Sequence, residues 1–243
     1  MNLIIDIGNT FSKIALFNND ELVTVSSVNK INNQHIKELQ KNYDSPDKVI
    51  VSSVKDLTSE TELFFKENFN TFIKLGPDTP IPIENLYQTK ETLGNDRLAA
   101  AVGAFSIFPG SNTLIIDAGS AITYDLINEK NQYLGGKISP GLDMRFNALH
   151  YFTARLPQIK TEKFNKLFGN TTKESILAGV QSGIIYETDK TIDIFKEFFT
   201  NLNVFITGGD AKFFEKKLKN SFFVNFNLTL IGLNCILKYN GKI

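Results

Sequence analysis

The sequence predicts an α/β protein of two duplicated βββαβαβα domains, and three observations carry that expectation. Leu3-Ile4-Ile5-Asp6-Ile7-Gly8-Asn9-Thr10 and Leu114-Ile115-Ile116-Asp117-Ala118-Gly119-Ser120-Ala121 share one design: an apolar run ends in Asp, then Gly and small polar residues follow. Each is followed by a second apolar run, through Phe17 and through Ile127, of the kind that forms a hairpin partner. The two Asp residues fall at positions 6 and 117 of a 243-residue chain, so the offset is close to half its length. The expected domains are residues 1–110 and 111–243.

The elements follow in order. Leu3 to Asp6 reads as a buried strand, Phe11 to Phe17 as its partner and Glu21 to Val28 as a third strand after the Asn18-Asn19-Asp20 turn. Ile36, Leu39 and Tyr43 sit at helical spacing within Ile31 to Tyr43. Lys48 to Val54 is a strand, Ser59 to Phe69 a helix and Thr71 to Leu75 a strand. The proline-rich Gly76 to Pro82 reads as a loop, and Arg97 to Phe108 as an Ala-rich helix stopped by Pro109-Gly110. The second half repeats this order. Strands are expected at Thr113 to Asp117, Ile122 to Ile127 and Gln132 to Ile138, the last broken by Gly135-Gly136. Helices follow at Leu142 to Leu156 and after Thr171. Then come a strand at Asn203 to Thr207, a helix at Ala211 to Leu218, a short strand at Phe222 to Phe226 and a last helix at Leu228 to Leu237.

Bulk properties narrow the function. Hydrophobic content of 42% and charged content of 21% are globular values. The formal net charge is zero, so no basic field attracts nucleic acid or an anionic membrane, and a small-molecule partner is expected. The single cysteine, Cys235, leaves no intramolecular disulfide or thiolate cluster and reads as a buried thiol. The first residues form a strand pattern rather than a leader, no apolar run is long enough to cross a bilayer, and a cytoplasmic location is expected. His35 and His150 form no pair at metal-ligand spacing, and the 21 Phe residues fall at core spacing.

Chemistry concentrates at the two Asp turns. A carboxylate at the end of a buried strand is costly unless its charge is used, and two at equivalent positions suggest cation coordination beside phosphate. Gly8 and Gly119 let backbone N–H groups approach an anion, while Asn9, Thr10, Ser12, Ser120 and Thr123 add short polar side chains. Lys13 supplies a point charge for a phosphate. No Gly-x-x-x-x-Gly-Lys-[Ser/Thr] motif occurs, so this is not a P-loop. Thr207-Gly208-Gly209-Asp210-Ala211 is either a strand-to-helix turn capped by Asp210 or a surface on which a planar base lies. In Gly94-Asn95-Asp96-Arg97, Asp96 reads either as the N-cap of the Ala-rich helix or as a general base, with Arg97 gripping an anionic substrate group.

Taken together, Asp6-x-Gly8-Asn9-Thr10, Gly94-x-Asp96-Arg97, Asp117-x-Gly119-Ser120-Ala121-x-Thr123, Gly135-Gly136-x-Ile138-x-Pro140-Gly141 and Thr207-Gly208-Gly209-Asp210-Ala211 resemble type III pantothenate kinases, in order and over essentially the whole chain. The family belongs to the acetate and sugar kinase, heat-shock ATPase and actin superfamily. The resemblance therefore implies two actin-like (ribonuclease H-like) domains with a nucleotide cleft between them. It implies that ATP phosphorylates pantothenate to 4′-phosphopantothenate, the first step of coenzyme A synthesis. Asp6, Ile7, Gly8, Asn9, Thr10, Phe11, Ser12 and Lys13 would form the phosphate loop, with Asp6 on Mg²⁺, and Ser120 would contact ATP. Asp96 would accept the proton of the substrate hydroxyl, and Gly94, Asn95, Asp96 and Arg97 would line the pantothenate site together with Tyr87 and Thr172, or Thr171 by a one-residue slip. Asp117 would hold a monovalent cation, K⁺ or NH₄⁺, and the protein would be a homodimer whose partner chain closes the substrate site. Two positions depart from the family pattern: Ser120 stands where Thr is usual, and Thr89-Lys90 where Asn-Pro is usual. The competing expectations are a small-molecule kinase with another hydroxylated substrate and a non-catalytic nucleotide-binding regulator.

Overall fold

The computed structural model describes residues 1–241 apart from Thr10, Lys30, Asn32, Asp44 and Asp56, and only the backbone of Asn33, Gln34, Lys37 and Gln40. The chain divides into two compact units. The first is Met1–Pro109 with Asn131–Leu134 and Asn227–Ile243; the second is Gly110–Lys130 with Gly135–Phe226.

In the first unit, strands β1 (Asn2–Ile7), β2 (Ser12–Asn18) and β3 (Glu21–Val28) form a meander, and β4 (Lys48–Ser53) and β5 (Thr71–Lys74) extend it on the other side. The sheet order is β3-β2-β1-β4-β5, with β1 antiparallel to β2 and parallel to β4. Leu3, Ile5, Ile14, Leu16, Val49 and Val51 share one face. They pack against Ile36 of α1 (Asn33–Asn42) and Phe65 of α2 (Ser59–Asn68). Alternate residues Ile4, Ala15 and Ile50 are also fully buried, so β1 is covered on both faces. That is why its sequence is a continuous apolar run rather than an alternating one.

The cover on the second face includes α7 (Leu228–Asn240), which packs on β1, β4 and α3 (Asn95–Ile107). The long first segment of the first unit ends at Pro109, and this last helix groups with that unit, although the sequence reading put it in a contiguous 111–243 domain. The cause is a close helix crossing. A Cβ on Gly232 would stand 1.7 Å from the carbonyl oxygen of Ala99, and one on Gly103 would stand 2.2 Å from that of Leu228. The Ala-rich face of α3 exists to let α7 approach backbone to backbone.

The second unit repeats the plan. Strands β7 (Thr113–Ala118), β8 (Ala121–Ile127), β9 (Gln132–Pro140), β10 (Asn203–Thr207) and β11 (Phe223–Val224) run in the order β9-β8-β7-β10-β11, the same topology as the first sheet. The first residues of β9, Gln132 and Tyr133, lie in the first unit, where they pair with β6 (Glu84–Asn85). β9 is not broken at Gly135-Gly136 as expected. Gly135 takes φ +106° and the strand continues to Pro140. The core joins Leu114, Ile116 and Ile206 to Phe146 of α4 (Leu142–Tyr151), Ile184 and Ile192 of α5 (Thr172–Phe198) and Phe214 of α6 (Ala211–Phe214).

Helix α4 stops five residues before the expected Leu156. The Thr153 hydroxyl donates to the Leu149 carbonyl at 2.7 Å, offering that carbonyl a side-chain partner at the point where the helix ends. Pro157 then disfavours helical geometry just beyond. The consequence is exposure: Tyr151 is 81% and Phe152 80% accessible, so not all the aromatic residues are core as their spacing suggests. Among the described residues no helix is long and apolar enough to cross a membrane.

Candidate active site

Each unit carries a cluster at the carboxyl ends of its central strands. In the first, Asp6 is the next-to-last residue of β1, and sheet register sets Lys13 beside it on β2 and Ser52 beside it on β4. Directly paired residues point to the same face of a sheet, so the three side chains stand in one row. The Ser52 side chain hydrogen-bonds the Asp6 carboxylate. Burial pushes the Asp6 carboxyl from an ordinary 3.8 up to about 6; the Ser52 bond opposes this, the charge of Asp96 reinforces it and the charge of Lys13 opposes it. Asp6 and Asp96 therefore face one another closely enough to repel.

Asp96 is carried by the first turn of α3. Its N-cap is Gly94, so Asp96 is the second residue of the helix, near the cap as its sequence suggests. Its Oδ1 accepts the backbone N–H of Arg97 at 2.8 Å, and the N-terminal end of the helix dipole favours the charge. Asn95 fixes the start of the helix by donating from Nδ2 to the Leu75 carbonyl at 3.0 Å, which ties the loop to the end of β5. Arg97 is buried. Its guanidinium lies 5.7 Å from the centre of the Tyr87 ring, and that ring packs at 6.2 Å on Tyr133. Tyr87 thus sits beside the Gly94–Arg97 loop, with the Lys90–Thr92 3-10 turn between them in sequence.

The residues expected to form the phosphate loop surround the same strand ends. Ile7 closes β1, the Gly8 N–H donates to the Phe11 carbonyl at 3.1 Å, Asn9 and Phe11 are exposed, and Ser12 is buried at the start of β2. Thr10 lies outside the described residues.

The second unit's cluster has the same geometry with different chemistry. Asp117 pairs with Thr123 on β8 and with Thr207 on β10. The Thr123 Oγ1 is buried with no hydrogen-bond partner among the described residues. Gly208 has φ +91°, and a Cβ there would stand 2.4 Å from the Asp117 Oδ1. The glycine is needed because the Thr207–Asp210 turn presses on that carboxylate. Asp210 is the N-cap residue of α6 without a side-chain capping bond; its N–H donates to the Ala118 carbonyl at 2.9 Å. Burial raises the Asp210 carboxyl, and the charge of Asp143 adds to the effect. Ser120 is exposed in the β7–β8 turn.

Thr171 and Thr172 both line one groove and differ in their hydrogen bonding. Thr171 is the N-cap of α5: its Oγ1 accepts the Glu174 N–H at 3.2 Å, while Glu174 reaches back to the Asn170 N–H. Thr172 is exposed on the first turn and lines a groove of about 1250 Å³ with Met144, Arg145, Phe152, Leu156 and Ile176. Tyr87 and Gly94–Arg97 belong to the first unit, Thr172 and Ser120 to the second.

Sequence reasoning missed Ser52, Tyr133 and Asp143. Ser52 becomes visible only once β4 is registered against β1, and Tyr133 only once β9 is paired with β6. Asp143 had a local signal, the first turn of a helix opened by Pro140-Gly141.

A family model described as type III pantothenate kinase matches residues 2–193. A type III pantothenate kinase of Christiangramia forsetii is 44% identical over 241 residues, covering 99% of each chain. The chain belongs to the type III pantothenate kinase family. Among solved structures, a candidate Baf family transcriptional activator from Campylobacter jejuni superposes with a TM-score of 0.63 at 26% identity, covering 99% of this chain and 100% of that one. A glucokinase from an Antarctic psychrotroph gives 0.53 at 11% identity, covering 98% of each chain, which shows the shared fold alone. The doubled sheet topology agrees with the expected two duplicated actin-like domains.

Proposed function

We propose that the protein transfers the γ-phosphoryl group of ATP to the primary hydroxyl of pantothenate, giving 4′-phosphopantothenate and ADP, the first step of coenzyme A synthesis. The observation that carries the reading is the arrangement around Asp6: a buried carboxylate flanked by Lys13 and Ser52 and facing Asp96. Two acids held close together cost free energy alone and are relieved by a cation and a phosphate chain.

Asp6 would hold Mg²⁺, a role supported by its buried carboxylate and the facing charge of Asp96. Mg²⁺ is commonly held by one or two carboxylates plus substrate phosphates, which agrees with the absence, among the described residues, of any cluster of three or more His, Cys, Asp or Glu. When bound, the ion neutralises charge on the transferring phosphoryl group. Ile7 to Lys13 would meet the nucleotide, a role supported by Lys13 standing beside Asp6 in the sheet, and Ser120 would contact ATP. Asp96 accepts the proton of the attacking hydroxyl and orients its oxygen. Tyr87 and Gly94 to Arg97 line the substrate site. Thr172 contacts the substrate, a role supported by the engagement of Thr171 in the helix cap. Asp117 would hold K⁺ or NH₄⁺, and the orphaned Thr123 hydroxyl beside it suits such an ion. The chain acts as a cytoplasmic homodimer; exposed Tyr151, Phe152, Leu167, Phe168 and Tyr186 on the second unit support a partner subunit there.

The Campylobacter jejuni relative's description favours a second reading, a regulator. The intact Asp6–Asp96 pair and a net charge of zero argue for the enzyme. An assay coupling ADP release to NADH oxidation, with pantothenate, ATP, Mg²⁺ and either KCl or NaCl, tests the proposal. Pantothenate-dependent turnover enhanced by KCl supports it; no turnover with pantothenate overturns it.

A further inference from the structure

Strand β4 reads Lys48-Val49-Ile50-Val51-Ser52-Ser53, an apolar run that turns polar at its carboxyl end. Side chains alternate between the faces of a strand, so Val49 and Val51 share one face and Ile50 and Ser52 the other. The first pair packs against α1 and α2; the second lies on the face where α7 and α3 meet β4. Ile50 is fully buried there, and Ser52, the next residue on that face, is only 1% exposed. A hydroxyl so placed costs free energy unless it has a partner, and an alanine would avoid the cost.

The partner is the carboxylate of Asp6. Parallel register sets Ser52 beside Asp6 just as it sets Ile50 beside Ile4, and the Ser52 hydroxyl donates to the carboxylate. The donor stands on fixed backbone. The Leu75 N–H donates to the Val51 carbonyl at 2.9 Å and the Val54 N–H to the Ile7 carbonyl at 3.0 Å, so β4 is tied to both neighbouring strands around Ser52. Lys13, on the other flank of Asp6, carries its charge on a flexible four-carbon stem. It attracts the carboxylate but does not set its orientation. The second unit repeats the arrangement, with Thr207 on the parallel strand beside Asp117.

An ionised carboxylate has about four lone-pair positions, of which one hydroxyl takes one and leaves the rest for a cation. Mg²⁺ demands near-ideal octahedral geometry, so a carboxylate free to turn is a poor ligand for it. A group that hydrogen-bonds a metal's ligand therefore governs affinity without touching the metal. We infer that Ser52 is a positioning residue: its hydroxyl holds the Asp6 carboxylate in the orientation that receives Mg²⁺ with the nucleotide. The inference rests on the assignment of Mg²⁺ to Asp6 above. Ser52 acts through Asp6, on ion binding and not on the binding of pantothenate.

Ser52→Ala, Ser52→Thr and Asp6→Asn, each compared with wild type, test it. The readout is calorimetric binding of a non-hydrolysable ATP analogue at increasing Mg²⁺, which needs no turnover. Ser52→Ala should require about 10–100-fold more Mg²⁺ for half-maximal binding, the usual cost of losing a group that orients a metal ligand. Binding of the analogue without Mg²⁺ should not change. Ser52→Thr keeps the hydroxyl and should restore the wild-type midpoint; the second unit already carries a threonine at the matching place. In steady-state turnover Ser52→Ala should need more Mg²⁺ and, once Mg²⁺ is saturating, keep the wild-type KM for pantothenate. A role in packing alone would lower the melting temperature and leave the Mg²⁺ midpoint in place. A Ser52→Ala midpoint within about twofold of wild type therefore overturns the inference. Asp6→Asn tells the two readings apart. A shifted midpoint there, with none in Ser52→Ala, overturns the role of Ser52 alone; an unshifted midpoint in Asp6→Asn removes Mg²⁺ from Asp6, and both readings fall.

Discussion

Asp6 and Asp117 end the first strand of their units at matching positions, but they have different neighbours. Each has a hydroxyl on its parallel side, Ser52 for Asp6 and Thr207 for Asp117. On the antiparallel side Asp6 meets Lys13, whereas Asp117 meets Thr123. The turns differ in the same sense. Four residues separate β1 from β2, enough to wrap an anion, and two separate β7 from β8. In the proposed function the first strand end, with Lys13 as a cation of its own, would meet phosphate, and the second, flanked by hydroxyls, would seat a bound ion. The carboxylate alone does not specify a role; the residue across the hairpin does.

The largest effect should come from the acid facing Asp6. Asp96→Asn keeps an oxygen for the Arg97 N–H, so fold and nucleotide binding should persist while kcat falls roughly 10²–10⁴-fold, the usual span for a general base. Turnover within a few-fold of wild type at saturating substrates would remove Asp96 from the chemistry.

Next in size is the stability stored against function at Asp6. In the folded protein this carboxyl holds its proton to about pH 6, against an ordinary 3.8. Folded protein binds more protons between those values, so wild-type stability falls as pH rises through that window and the loss is complete above it. Asp6→Asn lacks the titration. Its advantage over wild type should be near zero at pH 4 and grow to about 3 kcal/mol at pH 7, two pKa units' worth, while activity is lost. Urea unfolding without Mg²⁺ at the two pH values measures this. A variant no more stable at pH 7 than wild type would show that Asp6 is not strained by burial and by Asp96.

The turns themselves give a smaller contrast. A Cβ on Gly8 would stand 2.9 Å from the Phe11 carbonyl oxygen, whereas one on Gly119 would meet nothing nearer than 3.7 Å. Gly8→Ala should therefore cost about 1–3 kcal/mol through crowding, and Gly119→Ala should lie within about 0.5 kcal/mol of wild type or above it. Similar melting shifts for the two would mean that the first loop relaxes freely.

Much of this contrast was legible in the sequence, and its limits have physical causes. The doubled βββαβαβα order could be read because buried central strands are written as continuous apolar runs, and because Asp-x-Gly after such a run has few structural uses. Three things could not be read. Ser52 and Tyr133 reach their partners through sheet register between segments distant in sequence. Helix α7 joins the first unit through a glycine crossing that only packing reveals. A cavity lined by Lys55 and Lys74 is formed by two strand ends without a motif and by the helix start at Asn95, and only packing brings them together.

The finest test of the comparison lies at Thr123. Its hydroxyl is buried without a partner among the described residues, which costs free energy, and it stands directly across the hairpin from Asp117. Paired side chains at such a position have Cβ atoms about 4.5–5.5 Å apart, close enough for one ion to touch both. Thr123→Val replaces the hydroxyl by a methyl of the same shape. Without K⁺ the variant should be as stable as wild type or more so, by up to about 1 kcal/mol, because an unsatisfied buried group is gone. If the ion sits between Asp117 and Thr123, the variant should need several-fold more KCl for half-maximal activation, while KM for ATP and the Asp96-dependent step stay as they were. Asp117→Asn should weaken the KCl response further, since it removes the charge as well as an oxygen. A KCl titration against NaCl at constant ionic strength, with melting temperature followed in parallel, separates the cases. An unchanged activation curve in Thr123→Val with raised stability at every KCl concentration would make Thr123 a packing residue and leave the second Asp turn without the role its neutral neighbours suggest.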